Sequence, residues 1–476
     1  MAGRLAENGA ILLAAYKNLL QGTDEGRAVT PAAEWLIDNY HLIEKQIREI
    51  RSDLPPGYYR QLPKLSVGPF AGYPRVFGLA WAFVAHTDSR FDSDMLVGYV
   101  RAYQEVQPLT IGELWAVSIT LRIVMIENLR RLAEQIVKGR TARHLANDVA
   151  DRLLGAAGKT AEPFQIALGG HEGDARSEAF AVQLIHRLRD QDPKITPALN
   201  WLYQRLAAEH TSAEIVVRAV HQRQGAASVT VRNIITSLRL ISDVDWNDLF
   251  EEVSLVDETL AAGSAYGDMD FPTRNLYRSA IEELARGADS AELDVAHSAV
   301  AAAKRPQDGP QDARKSDPGY YLIGAGRHEF ENTIGFRPQA RKWRARLHRA
   351  SGIGFYAGAI AAVTLVLLAA ALIAIAVKGV SGWPLVILAL LGVAPAIDAA
   401  VALVNRAVGF GFHASLLPAL ELAGGVPSHL RTVVAVPTLL TTPASIEEQI
   451  ESLEIHHLAS PDGDLHFALL SDWLDA

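Results

Sequence analysis

Two long stretches almost free of charge, Gly352–Val377 and Trp383–Val404, constrain this chain more than any other feature. Only Asp398 in the second carries a charge, and a short break at Lys378–Gly382 separates the two. A bilayer core is crossed by a helix of about 20 apolar residues, and both runs reach that length. They predict a membrane hairpin late in the sequence, with a large polar region before it and a short one after.

Charge suggests an orientation. Arg337, Arg341, Lys342, Arg344, Arg346 and Arg349 precede the first span, the turn offers only Lys378, and Arg406 follows the second. By the positive-inside bias both ends are expected in the cytoplasm and the turn outside. The competing reading is a solvated basic helix face. The N-terminal apolar stretch Ala10–Tyr16 is short and preceded by Glu7, so it does not read as a signal peptide. A net charge of −9 argues against nucleic acid as a partner. The absence of cysteine removes disulfides and thiolate metal sites.

At 476 residues the chain has room for two or three domains. Residues 1–303 read as helical. Leu36, Tyr40, Ile43, Ile47, Ile50 and Leu54 recur at spacings of three and four, as do Leu114, Leu121, Met125, Leu129, Leu132 and Ile136 later on. Pro55-Pro56-Gly57 ends the first of these helices. Further helices are expected over Ala175–Arg189, Pro197–His210, Ala213–Gln222 and Trp246–Leu260. Asp289 with Glu292 is expected to cap a helix through Ala303. Val229-Thr-Val has strand propensity but is too short to decide. Lys304–Pro318 reads as a linker, and residues 304–350 as a linker and basic juxtamembrane segment. Tyr320–Arg327 contains a bare G-x-G that lacks the context of a phosphate loop, so it reads as a juxtamembrane loop.

Residues 351–408 hold the hairpin, and the pattern changes over 409–476. Thr432–Pro437 has a length suited to a buried strand, Leu465–Leu470 reads as a second strand, and a helix starts at Thr442-Pro443 with Ser445 and Glu448 spaced as a capping box. This is a β-α-β unit, which demands a parallel sheet covered by helices. Two strands do not complete such a sheet. The fold class is therefore mainly α: a helical cytoplasmic domain, two transmembrane helices and an incomplete α/β segment of GT-A-like β-α-β type.

Ligands of open α/β sheets gather at the carboxyl ends of the strands. Asp472, at the end of the second strand, can there bond ribose hydroxyls or a base edge, or it can be a solvated loop acid. Pro437 and Thr438, at the end of the first strand, would face the same crevice, and Asp475 is a weaker candidate. His456 and His457 are adjacent on a helix and point about 100° apart, which does not suit chelation of one metal. Neither H-E-x-x-H nor G-x-S-x-G occurs. Glu113 and Asp88 are isolated carboxylates in the sequence. Asp398, near Pro395, faces a bundle interior or aqueous path, or snorkels to the interface. Trp35, Trp81, Trp115, Trp201 and Trp246 can stack on sugars, although packing is the commoner role at helical spacing.

Several strings together resemble the N-terminal region of bacterial cyclic β-1,2-glucan synthases. They are Leu36-Ile-Asp-Asn-Tyr-His-Leu-Ile-Glu-Lys-Gln-Ile-Arg48, Asp53-Leu-Pro-Pro-Gly-Tyr-Tyr-Arg-Gln-Leu-Pro-Lys64, Gly72-Tyr-Pro-Arg-Val-Phe77, Tyr103-Gln104 and Pro108-Leu-Thr-Ile-Gly-Glu-Leu-Trp115. Ile235-Thr-Ser-Leu-Arg239, Asp245-Trp246, Met269-Asp-Phe-Pro-Thr-Arg-Asn-Leu-Tyr-Arg278, Asp317-Pro-Gly-Tyr-Tyr-Leu-Ile-Gly324 and Val434-Ala-Val-Pro-Thr-Leu-Leu440 follow in the same order. The resemblance implies a large bacterial inner-membrane, multi-pass glycosyltransferase with both termini of this chain cytoplasmic. It would use UDP-glucose and a divalent metal (Mg or Mn) to build a glucan initiated on the protein and closed into a ring.

The resemblance also implies that the family's metal-binding D-x-D, catalytic base, remaining spans and phosphorylase-like module lie beyond Ala476. Asp472 alone carries over, as a nucleotide contact. The expectation is thus an anchoring portion, inactive alone and needing no cofactor itself. Its partners would be the lipid bilayer and the remainder of the synthase polypeptide or a separately encoded transferase part. The alternative is a non-catalytic membrane-tethered helical scaffold that docks other polysaccharide-synthase subunits. A transporter component is disfavoured, because two spans are few for a substrate path.

Overall fold

The computed structural model describes residues 1–24, 29–54, 57–155, 163, 166–167, 177–189, 196–208, 210–305, 313–337, 343–411, 417–422, 424–459 and 463–473. The chain divides into two compact units, Met1–Leu255 and Val256–Ala476. The division falls inside the stretch 1–303 that the periodicity reads as one helical domain.

In the first unit, α1 (Ala2–Asp24), α2 (Pro31–Asp38), α3 (Tyr40–Asp53), α4 (Tyr58–Gln61), α5 (Arg75–His86) and α6 (Ser93–Val106) precede a long spine, α7 (Ile111–Leu154). After it come α8 (Glu178–Leu188), α9 (Thr196–Ala208), α10 (Ala213–Asp243) and α11 (Trp246–Val253). The start of α7 is fixed by a capping box. The Thr110 hydroxyl accepts from the Glu113 N–H at 3.2 Å, and the Glu113 carboxylate accepts from the Thr110 N–H at 3.0 Å. Gly155, at φ 66°, ends the helix in the left-handed conformation that glycine adopts without strain.

The two halves of α7 serve different cores. The first buries Leu114, Val117, Leu121, Val124 and Leu129, and packs on α1, α3 and α5. The second buries Ala142, Ala146, Val149 and Leu153 in a cluster with Phe180 and Leu184 of α8, Leu202 of α9 and Val216 of α10. Between Ala133 and Ala142 no residue of α7 is buried.

Some expectations are corrected here. The periodic run from Leu36 to Leu54 is two helices, parted at Asn39, whose φ of −109° and ψ of 13° leave the helical region. The Asn39 side chain holds this joint by donating to the Trp35 carbonyl at 3.0 Å and accepting from Arg239 at 2.7 Å. Pro55 and Pro56 lie outside the described residues, as do positions 175, 176 and 209 at the expected helix edges. Val229-Thr-Val is helical within α10, where Val231 is fully buried, so packing overrides β propensity. The expected helix Trp246–Leu260 is two helices, parted by the extended Ser254.

The second unit contains α12 (Leu255–Ala261), α13 (Phe271–Ala288), α14 (Glu292–Ala303), α15 (Pro318–Leu322) and α16 (Arg327–Thr333). Asp289 does not cap α14. It sits at φ 52°, ψ 41° and closes α13, while Ala291 precedes α14. The expected loop around Tyr320–Arg327 is two short helices joined at Ile323–Gly326. The Asp317 carboxylate starts α15 by accepting from the Gly319 N–H, and it also accepts from the Tyr277 hydroxyl, each at 2.7 Å. Only glycine fits at 319, since a Cβ there would lie 2.0 Å from the Tyr277 oxygen. Of the expected linker, residues 306–312 lie outside the described residues, and Ala313–Ser316 form a 3₁₀ turn.

Helices α17 (Trp343–Val377) and α18 (Trp383–Gly411) pack on each other. Within them Ile353–Val377 and Trp383–Gly409 are long and apolar enough to cross a membrane, with mean hydropathy of 3.0 and 2.3. Only 6 % of each is buried, unlike the core helix of a soluble protein. Ala400 and Val404 sit in the contact, and Tyr356 donates to Asn405 at 2.6 Å. Of the basic cluster, Arg341 and Lys342 lie outside the described residues, while Arg344, Arg346 and Arg349 belong to the first part of α17.

After the hairpin the chain returns to the helical part of its own unit. Residues 419–421 run antiparallel to 268–270, with Asp270 N donating to Ala419 O at 3.0 Å and Glu421 N to Asp268 O at 2.8 Å. The chain then forms β1 (Thr432–Leu440), α19 (Pro443–Ala459) and β2 (Leu465–Trp473).

Candidate functional site

The β-α-β unit is built in the order the residue pattern predicts, with longer strands. Neither strand is buried, although the first has a length suited to burial: none of their described residues is buried, and Val433, Leu439 and Leu470 are exposed. β1 and β2 pair in parallel from Thr432↔Leu465 to Leu440↔Trp473. The helix cap is Thr442, whose hydroxyl accepts from the Ser445 N–H at 3.2 Å, and Ser445 is therefore not the cap residue.

Register decides what the candidate residues can do together. Side chains alternate between sheet faces, and directly paired residues share a face. Pro437↔Leu470 and Leu439↔Asp472 lie on one face, while Val436↔Leu469 and Thr438↔Ser471 lie on the other. Phe467 is on the Thr438 face and meets both histidines of α19, with ring centroids 6.4 Å from His456 and 6.2 Å from His457. The Thr438 face is thus the one that α19 covers, and the face carrying Pro437 and Asp472 is open. Asp472 is near the carboxyl end of β2, whereas Pro437 and Thr438 are inside β1 and not at its end. Pro437 lies two pairs back from Asp472, about 7 Å along the strand. The structure therefore brings Asp472 and Pro437 to one face and separates Thr438 from both. Asp475 lies outside the described residues.

At the amino ends of the strands is a charged knot that sequence spacing did not reveal. Arg431 Nε donates to both Asp464 oxygens at 3.0 and 2.9 Å, and His466 Nε2 lies 2.7 Å from Asp464 Oδ1. His466 and then Arg431 hold the Asp464 carboxyl below its usual range. Gly463, at φ 82°, lets this corner close, because a Cβ would lie 2.2 Å from the Val426 nitrogen. This knot staples the strand starts, at the end opposite the expected ligand crevice.

The other carboxylates have structural work. Glu113 is fully buried and receives Arg75 through Nε at 2.9 Å and Nη2 at 2.5 Å. Asp88 accepts from Thr230 at 2.7 Å. The spelling D-x-D does occur, as Asp92-Ser-Asp94, Asp190-Gln-Asp192, Asp243-Val-Asp245, Asp268-Met-Asp270 and Asp462-Gly-Asp464. Asp190, Asp192 and Asp462 lie outside the described residues, and Asp464 is bonded to Arg431 and His466. Asp92, Asp245 and Asp270 each accept from backbone N–H groups at a helix start, which occupies them as caps. Among the described residues no three His, Asp or Glu side chains converge on a metal-sized site. Asp398 is exposed on the hairpin, away from the contact made by Ala400 and Val404. Trp115 stacks on Phe250 at 4.3 Å, Trp81 packs on Phe70 and Phe77, and Trp246 donates to the Ile241 carbonyl at 2.8 Å. These contacts place the three rings in packing.

The class defined by these features is a helical protein with two membrane-length helices leading into a parallel β-α-β unit. No family model matches the chain. The chain is 36 % identical, over 99 % of its length, to the cyclic beta-(1,2)-glucan synthase NdvB of Rhizobium meliloti (strain 1021). It spans 17 % of the length of that relative.

Proposed function

We propose that this chain is the membrane-anchoring portion of a cyclic β-1,2-glucan synthase that uses UDP-glucose. The observation that carries the reading is similarity along essentially the whole chain to one such synthase, combined with a hairpin that leads into a parallel β-α-β unit. Asp472, at the carboxyl end of β2, is the proposed nucleotide contact, with Pro437 on the same open face. Thr438 is kept only as a support beneath α19.

The hairpin is proposed to cross the bacterial inner membrane with its turn outside and both flanks in the cytoplasm. The basic residues that precede the apolar part of α17, three of them on its first part, and Arg406 near the end of α18 support this orientation. So does the return of residues 419–421 to residues 268–270, which keeps both flanks of the hairpin on one side. A cytoplasmic Asp472 would then face the pool of sugar nucleotide.

Transfer needs a base for the acceptor hydroxyl and positive charge for the leaving diphosphate. We assign both to the remainder of the synthase polypeptide, or to a separately encoded transferase part, since the chain spans 17 % of its relative. Exposed Val433, Leu439 and Leu470 on the two-stranded sheet support a fold that further strands and helices complete. The test is to incubate the purified chain in detergent with UDP-glucose and Mg or Mn. No glucan is expected, and glucan formation would overturn the reading of an inactive anchor. In the full-length synthase, Asp472→Asn is expected to weaken UDP-glucose binding at least tenfold, and unchanged binding would remove Asp472 from the site.

A further inference from the structure

The bare middle of α7 is where the two cores of the first unit meet, and it is not empty surface. A cleft of about 500 Å³ lies there, walled by α2, α7, α8 and α10. That volume is in the range of small-molecule sites. Ala32, Ile136, Ala179, Val220 and Ala227 supply apolar wall, while Lys138 and Arg143 project from α7. Glu178 and Arg223 also line it but neutralise each other as an ion pair. The cleft is therefore net positive in a chain of net charge −9.

Arg143 is the unusual member. It is half-buried, and among the described residues it has no carboxylate or carbonyl partner, whereas Arg140 one turn away donates to the Asn18 carbonyl. Burial pushes the Arg143 guanidinium below its ordinary range, and Arg140 adds to the effect. A half-buried cation with no partner among the described residues is costly unless an anion is supplied. The cleft also receives the first residues of α2 and α8, and neither cap side chain, Thr30 or Ser177, closes on its own first turn. The first N–H groups of α8 add positive potential of the sort that favours anions, whereas in α2 Pro31 has no N–H and the Ala33 N–H already bonds the Thr30 carbonyl at 2.8 Å.

We propose that this cleft binds a phosphorylated small molecule, with its phosphate on Arg143 and Lys138 and its body against the apolar wall. A guanidinium grips phosphate through two parallel bonds, and the nearby ammonium adds a point charge. A long polyanion fits less well, because the cleft is local and the chain as a whole repels negative charge. The site uses residues of the first unit only and does not rest on the synthase reading.

The test is equilibrium dialysis of the full chain in detergent against labelled inorganic pyrophosphate and, separately, uridine monophosphate. Saturable binding of at least one probe is expected, weakened at least tenfold by Arg143→Gln and kept intact by Lys64→Gln, an exposed position outside the cleft. Pyrophosphate binding alone would point to a free phosphate, and tighter uridine monophosphate binding to a nucleotide whose base uses the apolar wall. Should Arg143→Gln fail to fold, exposed Lys138→Gln carries the test with a several-fold loss. No saturable binding of either probe, or binding untouched by both substitutions, would overturn the proposal. Loss with Asp472→Asn but not with Arg143→Gln would place the binding at the β-α-β unit and overturn it equally.

Discussion

Arg75 and Glu113 form a buried, two-point ion pair that joins the start of α5 to the start of α7. Burial opposes the charge on Arg75, yet the Glu113 bonds outweigh it and hold the guanidinium above its usual range. Glu113 simultaneously closes the cap of α7 on Thr110, so one carboxylate fixes both the beginning of the spine and the helix laid across it.

Glu113→Ala should therefore be among the most damaging substitutions in the first unit. Removing one partner of a buried pair costs about 3–5 kcal/mol, because the other charge is left behind. Denaturant unfolding followed by circular dichroism should show this loss, with a smaller one for the Arg75→Met, Glu113→Leu double variant. Equal losses in the two proteins would contradict the pairing argument.

Tyr59 gives a pH signature. Burial pushes its phenol up to about 12, while its bond to Thr120 works the other way. The fold favours the neutral phenol, so this contribution is fully present below the ordinary tyrosine pKa of about 10 and is lost as pH rises through about 12. Near-ultraviolet phenolate absorbance should contain a step near pH 12 that is lost in Tyr59→Phe, while Tyr277, pushed higher still by burial and by its bond to Asp317, titrates beyond it.

Gly319→Ala tests the close approach in the second unit. Its new methyl would collide with the Tyr277 hydroxyl, which is bonded to Asp317. Overpacking of this kind costs about 1–3 kcal/mol. Tyr277→Phe removes the colliding oxygen and should recover part of the loss in the double variant, read as a thermal midpoint.

Because the chain has no cysteine, single introduced thiols report topology cleanly. In intact cells Ser381→Cys, in the turn, should react with an impermeant maleimide, while Gln449→Cys on α19 should react only after the membrane is opened. The reverse pattern would invert the proposed orientation.

Much of the architecture was legible because its signals are local. Unbroken hydropathy marked α17 and α18, and β-branched runs around Thr442-Pro443 marked the β-α-β unit. The strings resembling a known family were legible as strings, but their purpose was not. In space Arg75 meets Glu113, Asn39 meets Arg239, and Tyr277 meets Asp317. Each pair unites two strings that are far apart in the chain, and no spacing rule connects them. The candidate site was legible in location and not in facing, because a strand three residues longer than expected moved Pro437 and Thr438 off its end. The cleft at Arg143 left no trace in the sequence. It arises between Ala133 and Ala142, where α7 buries no residue although Ile136 and Val137 are apolar, and it becomes visible only when four helices are assembled around it.

The short antiparallel meeting of residues 268–270 with residues 419–421 has a consequence for biogenesis. The earlier edge leaves the ribosome roughly 150 residues ahead of its mate, with both greasy helices still to be made. That half of the clasp has to wait, open, until the hairpin has been made and the segment beyond it emerges. The second unit thus cannot finish folding before both apolar helices have been synthesised, and with the hairpin placed in the membrane as proposed, maturation of the polar part is tied to delivery at the bilayer.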